Sequence, residues 1–238
     1  MNHLPPTQIK QMFGEIAGWY DFLNHLLSLG IDRSWRRKTI RLVAPRDGGG
    51  PILDVCTGTA DLALGYWKAR RQMPGIHVVG TDFCRPMLDI GDKKRSRAGA
   101  ADGLELIEAD TVSLPFADGI FQIVSAAFGL RNVSDLDKGL REMVRVCRPG
   151  GRVAVLEFSM PRIWPLKKLY NWYFHRVLPR IGQTLARNTQ EAYNYLPESV
   201  GRFPQGDEFT RQMRAAGLEE VTIYPFTFGI AALYVGKK

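Results

Sequence analysis

The fold is decided by the stretch Leu53-Asp54-Val55-Cys56-Thr57-Gly58-Thr59-Ala60-Asp61. The apolar residues 51–55 predict a short buried strand, and the pattern in residues 62–67 predicts the start of a helix. A strand, a tight turn of small residues and a helix N-terminus form the unit with which α/β proteins bind nucleotide-like ligands. We expect Gly58 to let the backbone approach the ligand, and the unpaired N–H groups of the helix start to point at it.

The next predicted strand, residues 76–81, leads into Asp82. A carboxylate at the end of a second strand is placed to accept hydrogen bonds from two ribose hydroxyls, which predicts an adenosine compound. The turn holds one of the three glycines of a dinucleotide fingerprint, and Asp61 would put negative charge beside a pyrophosphate. S-adenosylmethionine has an ammonium group and no phosphate, so it is the favoured cofactor, with Asp61 near its amino-acid end. Alternatively, Asp61 only occupies the first helical turn, where the helix dipole favours an acid.

The composition limits the class of protein. A chain of 238 residues with 45% hydrophobic residues fits one large α/β domain, or one domain with appended helices. Its net charge of +8 suits an anionic membrane surface or a nucleic acid, and equally a solvated basic face. No apolar run approaches the ~20 residues that span a bilayer, and residues 1–6 lack the apolar core of a secretion signal. The three cysteines and four histidines show no zinc-binding spacing, so we expect a cytosolic protein without a metal site.

The order of patterns along the chain predicts one domain built in four parts. Residues 1–46 form an N-terminal helical cap, 51–158 a cofactor-binding core, 160–205 a helical insertion or substrate lid, and 206–238 the last helix with an antiparallel hairpin. Two explanations of the N-terminal cap are open. Either it packs across the cofactor cleft as a lid, or it only caps the domain with a basic outer face.

Seven apolar runs predict a mostly parallel sheet that ends in an antiparallel hairpin of edge strands. The runs are 51–55, 76–81, 104–109, 121–126, 153–158, 220–224 and 231–235. Pro149-Gly150-Gly151 is expected to end the helix before the fifth strand. Because ligands of such sheets lie beyond the carboxyl ends of the strands, the polar residues found there are candidates for the site. They are Asp54, Asp82, Asp110, Glu157 and residues 127–132.

Residues 166–181 of the insertion carry an apolar stripe at helical spacing and a basic opposite face, with Trp164 and Trp172 beside it. Ordinary packing against the core is one explanation of this pattern. A basic amphipathic helix flanked by tryptophans also suits a membrane surface or an apolar substrate. The segment is therefore the candidate for contact with a membrane.

Three stretches carry a resemblance to a known family. They are 20–35, which begins Tyr20-Asp21-Phe22-Leu23-Asn24; 128–133, which reads Phe-Gly-Leu-Arg-Asn-Val; and 145–159, which contains the Pro-Gly-Gly turn. The turn is generic, but the first two stretches are specific, and with residues 178–182 they cover nearly the whole chain. The sequence resembles the class I S-adenosylmethionine-dependent methyltransferases and, more closely, the UbiE/MenG family of quinone-biosynthesis C-methyltransferases.

The resemblance implies a Rossmann-like, mostly parallel seven-stranded sheet that binds S-adenosylmethionine at Thr59, Asp82, Asp110 and Thr111. Asp82 would hold the ribose hydroxyls, and Asp110 with Thr111 would lie at the edge of the adenine. Three positions depart from the family pattern. Ala127 replaces the serine of some members and loses its hydrogen bond, Asp110 replaces a common asparagine, and Thr111 replaces a common alanine. An acid accepts from the adenine amino group but cannot donate, so that contact differs in detail.

The resemblance implies methyl transfer to a carbon of a prenylated hydroquinone. The form Cys-x-Gly-Thr-Ala-Asp favours demethylmenaquinol, with the ubiquinone-pathway benzoquinol left open. The ring carbon becomes nucleophilic when the adjacent hydroxyl, with a pKa of ~10, loses its proton. We expect Arg131 to stabilise the phenolate, Asn132 and Tyr20 to orient the ring, and water or Asp110 to accept protons.

The residue roles and the overall function each have alternatives. The alternative for Arg131 is a structural ion pair with Asp135 or Asp137, and the alternative for Tyr20 is aromatic packing at a helix start. The rival functions are a methyltransferase for another small molecule or for RNA, and a non-catalytic cofactor-binding scaffold. No nucleic-acid-binding module is recognisable, which counts against RNA as the substrate. The resemblance implies a prenylated quinol as the partner, and its prenyl tail implies transient contact with the inner face of the membrane. The sequence leaves the oligomeric state open, a homodimer included.

Overall fold

The computed structural model describes residues 5–28, 30–70, 73, 75–160 and 198–238. The strands are β1 Ile52–Val55, β2 Val78–Asp82, β3 Leu104–Glu108, β4 Phe121–Ala127, β5 Cys147–Phe158, β6 Glu219–Phe226 and β7 Ala231–Lys237. The α-helices that lie wholly within the described ranges are α1 Pro6–Leu27, α2 Asp32–Leu42, α3 Asp61–Ala69, α4 Arg85–Arg97, α5 Leu136–Val146 and α6 Asp207–Ala215.

The seven strands form one sheet in the order β3-β2-β1-β4-β5-β7-β6. The first five strands in this order are parallel, and β7 runs antiparallel to both β5 and β6. The order reverses between β1 and β4, so the crossovers leave a crevice beyond the carboxyl ends of these strands. The predicted α/β fold with a mostly parallel seven-stranded sheet is therefore confirmed.

The central strand β1 is buried along its whole length because helices cover both faces of the sheet. Its neighbour β4 is buried from Phe121 to Ala126. Leu53 and Val124, which pair across β1 and β4, belong to the core on one face, and Ile52 and Ile123 belong to the core on the other. The apolar runs of the sequence therefore mark strands buried on both faces, and the sheet gives the strand ends a rigid base.

Two details of the predicted sheet are wrong. The helix before β5 ends at Val146, and Pro149-Gly150-Gly151 lies inside β5 instead of terminating the helix. Pairing with β4 shifts there, from Phe121 opposite Cys147 to Ile123 opposite Arg152, because proline lacks an N–H group for the ladder. The final hairpin also supplies only one edge strand, since β7 pairs on both sides and β6 alone forms the edge.

The N-terminal segment forms α1 and α2, in agreement with the helical pattern predicted there. Ile9 and Met12 of α1 are buried beside Phe83, which follows β2, so α1 lies against the region of the β2 end and α4. The helix α2 packs on α3, the helix that follows the β1 turn. Both helices are therefore positioned next to the carboxyl ends of the parallel strands.

The insertion falls almost entirely outside the described residues, which end at 160 and resume at 198. The predicted amphipathic helix 166–181 lies outside them, so its packing stays a prediction. In the described part of the chain, no helix is both long and apolar enough to cross a membrane.

Candidate active site

The carboxyl ends of β1 to β4 open into a cleft of about 590 Å³. Segments that follow these four strands form most of its wall, and α1 contributes Phe13. Four of the predicted cofactor-binding residues line the cleft, and Asn132 lies in the same wall. The four are Gly58, Asp82, Asp110 and Thr111. The tertiary structure thus brings together residues from three successive strand ends.

The turn after β1, residues 56–60 and hereafter the β1 turn, has three residues with positive φ. They are Cys56 at 50°, Gly58 at 56° and Ala60 at 68°. Glycine adopts this conformation freely, whereas for cysteine and alanine it costs about 1 kcal/mol or more of conformational free energy each. The surrounding structure must therefore hold the turn in place.

Asp54 holds the β1 turn from the inside of the protein. Its carboxylate accepts hydrogen bonds from the Thr57 hydroxyl at 2.7 Å and the Ser125 hydroxyl at 2.8 Å. It also accepts from the backbone N–H of Ala63 in the first turn of α3. Burial raises the pKa of Asp54 to about 6. A buried carboxylate thus satisfies a helix N-terminal N–H that the sequence analysis assigned to the ligand.

Asp82 holds the β1 turn from the neighbouring strand. Its carboxylate accepts from the backbone N–H of Gly58 at 2.8 Å and from that of Cys84 at 2.9 Å. Burial raises the pKa of Asp82 to about 6. The Gly58 N–H therefore points at Asp82, because the buried carboxylate needs donors. Asp82 lines the cleft, and each of its oxygens can accept a further hydrogen bond.

Thr59 and Asp61 lie in a second, smaller pocket of about 310 Å³, not in the main cleft. Cys56 and Gly58 line both spaces, so the pocket is the continuation of the cleft beneath α2. Lys94 Nζ donates to the Thr59 hydroxyl at 2.9 Å and to Asp61 Oδ1 at 2.6 Å. This lysine, which the sequence analysis missed, fixes the first turn of α3 against α4.

Asp110 and Thr111 follow β3 but have different surroundings. Asp110 is exposed, and its Oδ1 accepts from the N–H of Val112 at 3.1 Å. Thr111 is buried, and its hydroxyl lies 3.3 Å from the Cys56 thiol, at hydrogen-bond distance for sulfur. The cleft between them and α1 has apolar walls formed by Phe13, Phe83, Met87 and Val133.

Arg131 lies in a short 3₁₀ turn after β4, Leu130–Asn132, and its guanidinium is directed at the end of β5. Arg131 Nη1 forms an ion pair with Glu157 Oε2 at 3.0 Å and also donates to the Phe128 carbonyl. The two side chains are 5% and 1% exposed, and burial raises the pKa of Glu157. The alternative pairing with Asp135 or Asp137 is therefore wrong.

Two buried atoms in this turn have no hydrogen-bond partner within the described part of the chain. They are Arg131 Nε and Asn132 Oδ1, a donor and an acceptor on consecutive residues. Asn132 lines the cleft, and Arg131 lies behind it beside Glu157. Tyr20 belongs to α1, but its side chain lies outside the described residues, so its role stays a prediction.

The comparison with known proteins decides the family. The model of the ubiE/COQ5 methyltransferase family matches residues 1–238, the whole chain. This protein belongs to the ubiE/COQ5 methyltransferase family. The resemblance predicted from the sequence is thereby confirmed, and with it the assignment of the protein as an S-adenosylmethionine-dependent C-methyltransferase.

Relatives and solved structures agree with this family. The chain is 44% identical over 231 residues to the ubiquinone/menaquinone biosynthesis C-methyltransferase UbiE of Geobacter sulfurreducens, covering 97% of this chain and 88% of the relative. It is 46% identical over 232 residues to the demethylmenaquinone methyltransferase of Thermus thermophilus, covering 95% and 100%. A solved methyltransferase of Thermotoga maritima, described as a possible histamine N-methyltransferase, has a TM-score of 0.66 at 17% identity, covering 96% and 99%. The last likeness concerns the fold alone.

The residues of the cleft fit the cofactor of a ubiE/COQ5 family member. Asp82 offers buried carboxylate acceptors for ribose hydroxyls, and the apolar side chains of Phe13 and Phe83 suit an adenine ring. Gly129 also lines the cleft and lies close against the β1 turn, since a Cβ there would lie 2.4 Å from that of Cys56. In the pocket beneath α2, the carboxylate of Asp61, which also pairs with Lys94, would suit an ammonium group.

The sequence analysis left several residues that build this site without a role. Asp54 and Glu157 were candidates only through their places at strand ends, and Phe13 was not singled out within the predicted N-terminal helical cap. A charged residue inside an otherwise apolar run is a usable signal, because a buried carboxylate requires donors nearby. No comparable signal identified Lys94 or Ser125, whose partners are distant in sequence.

Proposed function

We propose that this protein methylates a ring carbon of a reduced, prenylated quinone, with demethylmenaquinol as the preferred substrate. The observation that carries the proposal is the similarity along nearly the whole chain to relatives named for menaquinone and ubiquinone biosynthesis. The sequence Cys-x-Gly-Thr-Ala-Asp in the β1 turn supports the naphthoquinol over the benzoquinol. S-adenosylmethionine supplies an activated methyl group, so the protein must activate the ring carbon.

The 3₁₀ turn after β4 supplies the groups for activating the ring. Buried polar atoms without partners are rare in folded proteins, so Arg131 Nε and Asn132 Oδ1 support a role in holding a substrate hydroxyl. In this proposal Arg131 stabilises the phenolate, and Asn132 and Tyr20 orient the ring. The stabilisation of developing charge by one such donor contributes about 3–4 kcal/mol.

The substrate must also lose protons as the methyl group arrives. Asp110, exposed at the rim of the cleft, or a water molecule takes this role in the proposal. Asp82 and Asp54 are unsuited to it, because both carboxylates already accept hydrogen bonds that fix the β1 turn. The proton acceptor is thus placed at the solvent side of the site.

A competition assay tests the substrate. The pure protein is incubated with S-adenosylmethionine and either reduced demethylmenaquinone or the reduced demethylated ubiquinone precursor, and product masses are followed. Methylation of the naphthoquinol alone supports the proposal, and methylation of both rings broadens it to a shared enzyme. Methylation of neither ring, with the cofactor still bound, would overturn the proposal.

We also propose transient contact with the anionic inner face of the cell membrane, where a prenylated quinol is located. The net charge of +8 supports this contact, and α2 presents Arg33, Arg37, Lys38 and Arg41 as exposed basic residues. Flotation with anionic vesicles, compared with neutral vesicles, tests it. Equal flotation with both kinds of vesicle, or with neither, would contradict an electrostatic contact.

A further inference from the structure

The pocket beneath α2 contains one residue whose function the family assignment does not supply. Arg36 lines this pocket of about 310 Å³ together with Asp54, Thr57, Asp61 and Ala127. Its side chain is 13% exposed, although it belongs to a helix that precedes the core sheet in sequence. An arginine that is held so far inside the cofactor site requires an explanation beyond solubility.

The surroundings of Arg36 hold its guanidinium in one orientation. Nη1 forms an ion pair with Asp32, a buried carboxylate that also accepts from the Ser28 hydroxyl at 2.7 Å. The guanidinium carbon lies 5.3 Å from the centre of the Phe128 ring, within the range of a cation–π contact. The group is therefore anchored from α2 and covered by the segment that follows β4.

One side of the guanidinium remains available for a ligand. Arg36 Nη2 lies 3.9 Å from Asp61 Oδ2, which is within ion-pair range but beyond hydrogen-bond distance. Among the described residues, the hydrogen bond to Asp32 is the sole one made by this guanidinium. A guanidinium has five N–H donors, so Arg36 keeps donors for an oxygen ligand inside the pocket.

We infer that Arg36 binds the carboxylate of the methionine moiety of S-adenosylmethionine. That moiety carries an ammonium and a carboxylate on one carbon, and the pocket offers both opposite charges, with Asp61 for the ammonium and Arg36 for the carboxylate. The other nearby cation, Lys94, already donates to Thr59 and Asp61 and does not line the pocket. A planar guanidinium also matches the two oxygens of a carboxylate.

This inference gives α2 a function in cofactor selection, since the carboxylate would tie the helix to the β1 turn. It concerns the cofactor pocket alone and does not depend on which quinol ring is methylated. Its test therefore uses equilibrium binding without any quinol, and its failure is distinguishable from failure of the proposed substrate.

The test compares two ligands by isothermal titration calorimetry: S-adenosylhomocysteine and its decarboxylated analogue, which keeps the ammonium. We expect the unaltered protein to bind the first ligand about 10- to 100-fold more tightly. Arg36→Met should reduce this ratio to about threefold or less, because the partner of the carboxylate is gone. Arg36→Lys should give an intermediate ratio, since it keeps the charge without the planar fork.

The matched control is Arg37→Met, the neighbouring residue on the exposed face of α2. It should leave the ratio of the two dissociation constants unchanged. If Arg36 only ties α2 to the core, Arg36→Met weakens the binding of both ligands equally. An unchanged ratio of the two dissociation constants would therefore overturn the inference. Should the methionine variant fail to fold, Arg36→Lys decides the question, and a ratio equal to that of the unaltered protein overturns it.

Discussion

Asp82 and Glu157 are buried carboxylates at the ends of parallel strands in the same sheet, yet the protein neutralises them differently. Asp82, at the end of β2, is held by the backbone N–H groups of Gly58 and Cys84. Glu157, near the end of β5, is held by the guanidinium of Arg131 at 3.0 Å. The first carboxylate has neutral partners, and the second has a cation.

Under the proposed function, this difference suits the two carboxylates to different tasks. With neutral donors, Asp82 keeps its negative charge for hydroxyl groups of a ligand and fixes the backbone of the β1 turn at the same time. With a cationic donor, Glu157 forms a pair without net charge, and Arg131 retains an unpartnered Nε. In the proposed function, Asp82 therefore gives the cofactor side of the cleft a fixed negative charge, and the Arg131–Glu157 pair, which lies behind Asn132, serves the substrate side.

The largest expected effect on turnover comes from breaking the ion pair between Arg131 and Glu157. Arg131→Ala should lower kcat by about 100- to 1000-fold, because the phenolate loses its donor, while the cofactor dissociation constant changes far less. The same change leaves Glu157 buried and unpaired, which destabilises the protein by about 3–5 kcal/mol. Turnover is measured with the reduced quinone, and cofactor binding by calorimetry. Equal losses in turnover and in cofactor affinity would show that Arg131 takes no part in the methyl transfer.

The double variant Arg131→Leu with Glu157→Leu is the control for stability. Replacing both members of a buried pair with apolar residues of similar size is often neutral for stability. We expect this variant to fold with a melting temperature near that of the unaltered protein and to lack turnover. Retention of turnover in the folded double variant would show that the pair is structural alone.

Asp54 and Asp82, the two buried carboxylates whose hydrogen-bond donors are neutral, should make the stability of the protein depend on pH between pH 4 and pH 6. Burial raises the pKa of Asp54 and of Asp82 from 3.8 to about 6. The folded protein thus binds protons more tightly than the unfolded chain in this window. Each group contributes up to about 3 kcal/mol below pH 4, and the contribution is lost as the pH rises through 6.

Urea unfolding at several pH values measures this dependence. Asp54→Asn removes one titrating group, so its unfolding free energy should fall less steeply between pH 4 and pH 6 than that of the unaltered protein. Asp47→Asn, at an exposed aspartate, is the matched control and should leave the slope unchanged. Identical slopes for Asp54→Asn and Asp47→Asn would contradict the role assigned to burial.

Asp82→Asn tests whether Asp82 binds the cofactor in addition to fixing the β1 turn. An amide has one oxygen and no charge, so it cannot serve both N–H donors and the ribose hydroxyls as the carboxylate does. We expect the dissociation constant of S-adenosylhomocysteine to rise about 30- to 100-fold in calorimetry. Asp89→Asn on the exposed face of α4 is the control. A change of less than threefold in Asp82→Asn would show that Asp82 only shapes the β1 turn.

The smallest effect is expected at Asp110, which is exposed where Asp82 is buried. Asp110→Asn keeps an oxygen to accept from the N–H of Val112, and solvent weakens the effect of the lost charge. The cofactor dissociation constant should change by less than about threefold. A loss as large as that of Asp82→Asn would show that the adenine edge contributes as much to binding as the ribose.

Much of this fold was predictable because its signals are local. The apolar runs 51–55 and 121–126 are buried on both faces, so they stand out without any tertiary information. The position of Asp82 after its strand followed from the same pattern. The start of β5 was not predictable, because Pro149-Gly150-Gly151 favours a helix end, whereas pairing with β4 drew residues on both sides of it into one strand.

The sequence predicted which residues belong to the candidate site, but not which other residues they contact. Gly58, Asp82, Asp110 and Thr111 line the cleft because each lies at or just after the end of a strand, a property that the sequence reveals. Their partners come from other elements, as with Lys94 on α4. Local patterns carry no information about which distant side chain fills a given space, so these partners required the structure.

The sequence by itself determined the family, the alternation of strands and helices, and which residues stand at the strand ends, since each depends on local pattern. Only the tertiary structure decided that Arg131 pairs with Glu157 and not with Asp135 or Asp137, and that Arg36 enters the cofactor pocket. Asp135 is near Arg131 in sequence, but it caps α5 by accepting from the N–H of Lys138. A buried charge pairs with the opposite charge that folding places next to it, and that neighbour depends on how the whole chain packs.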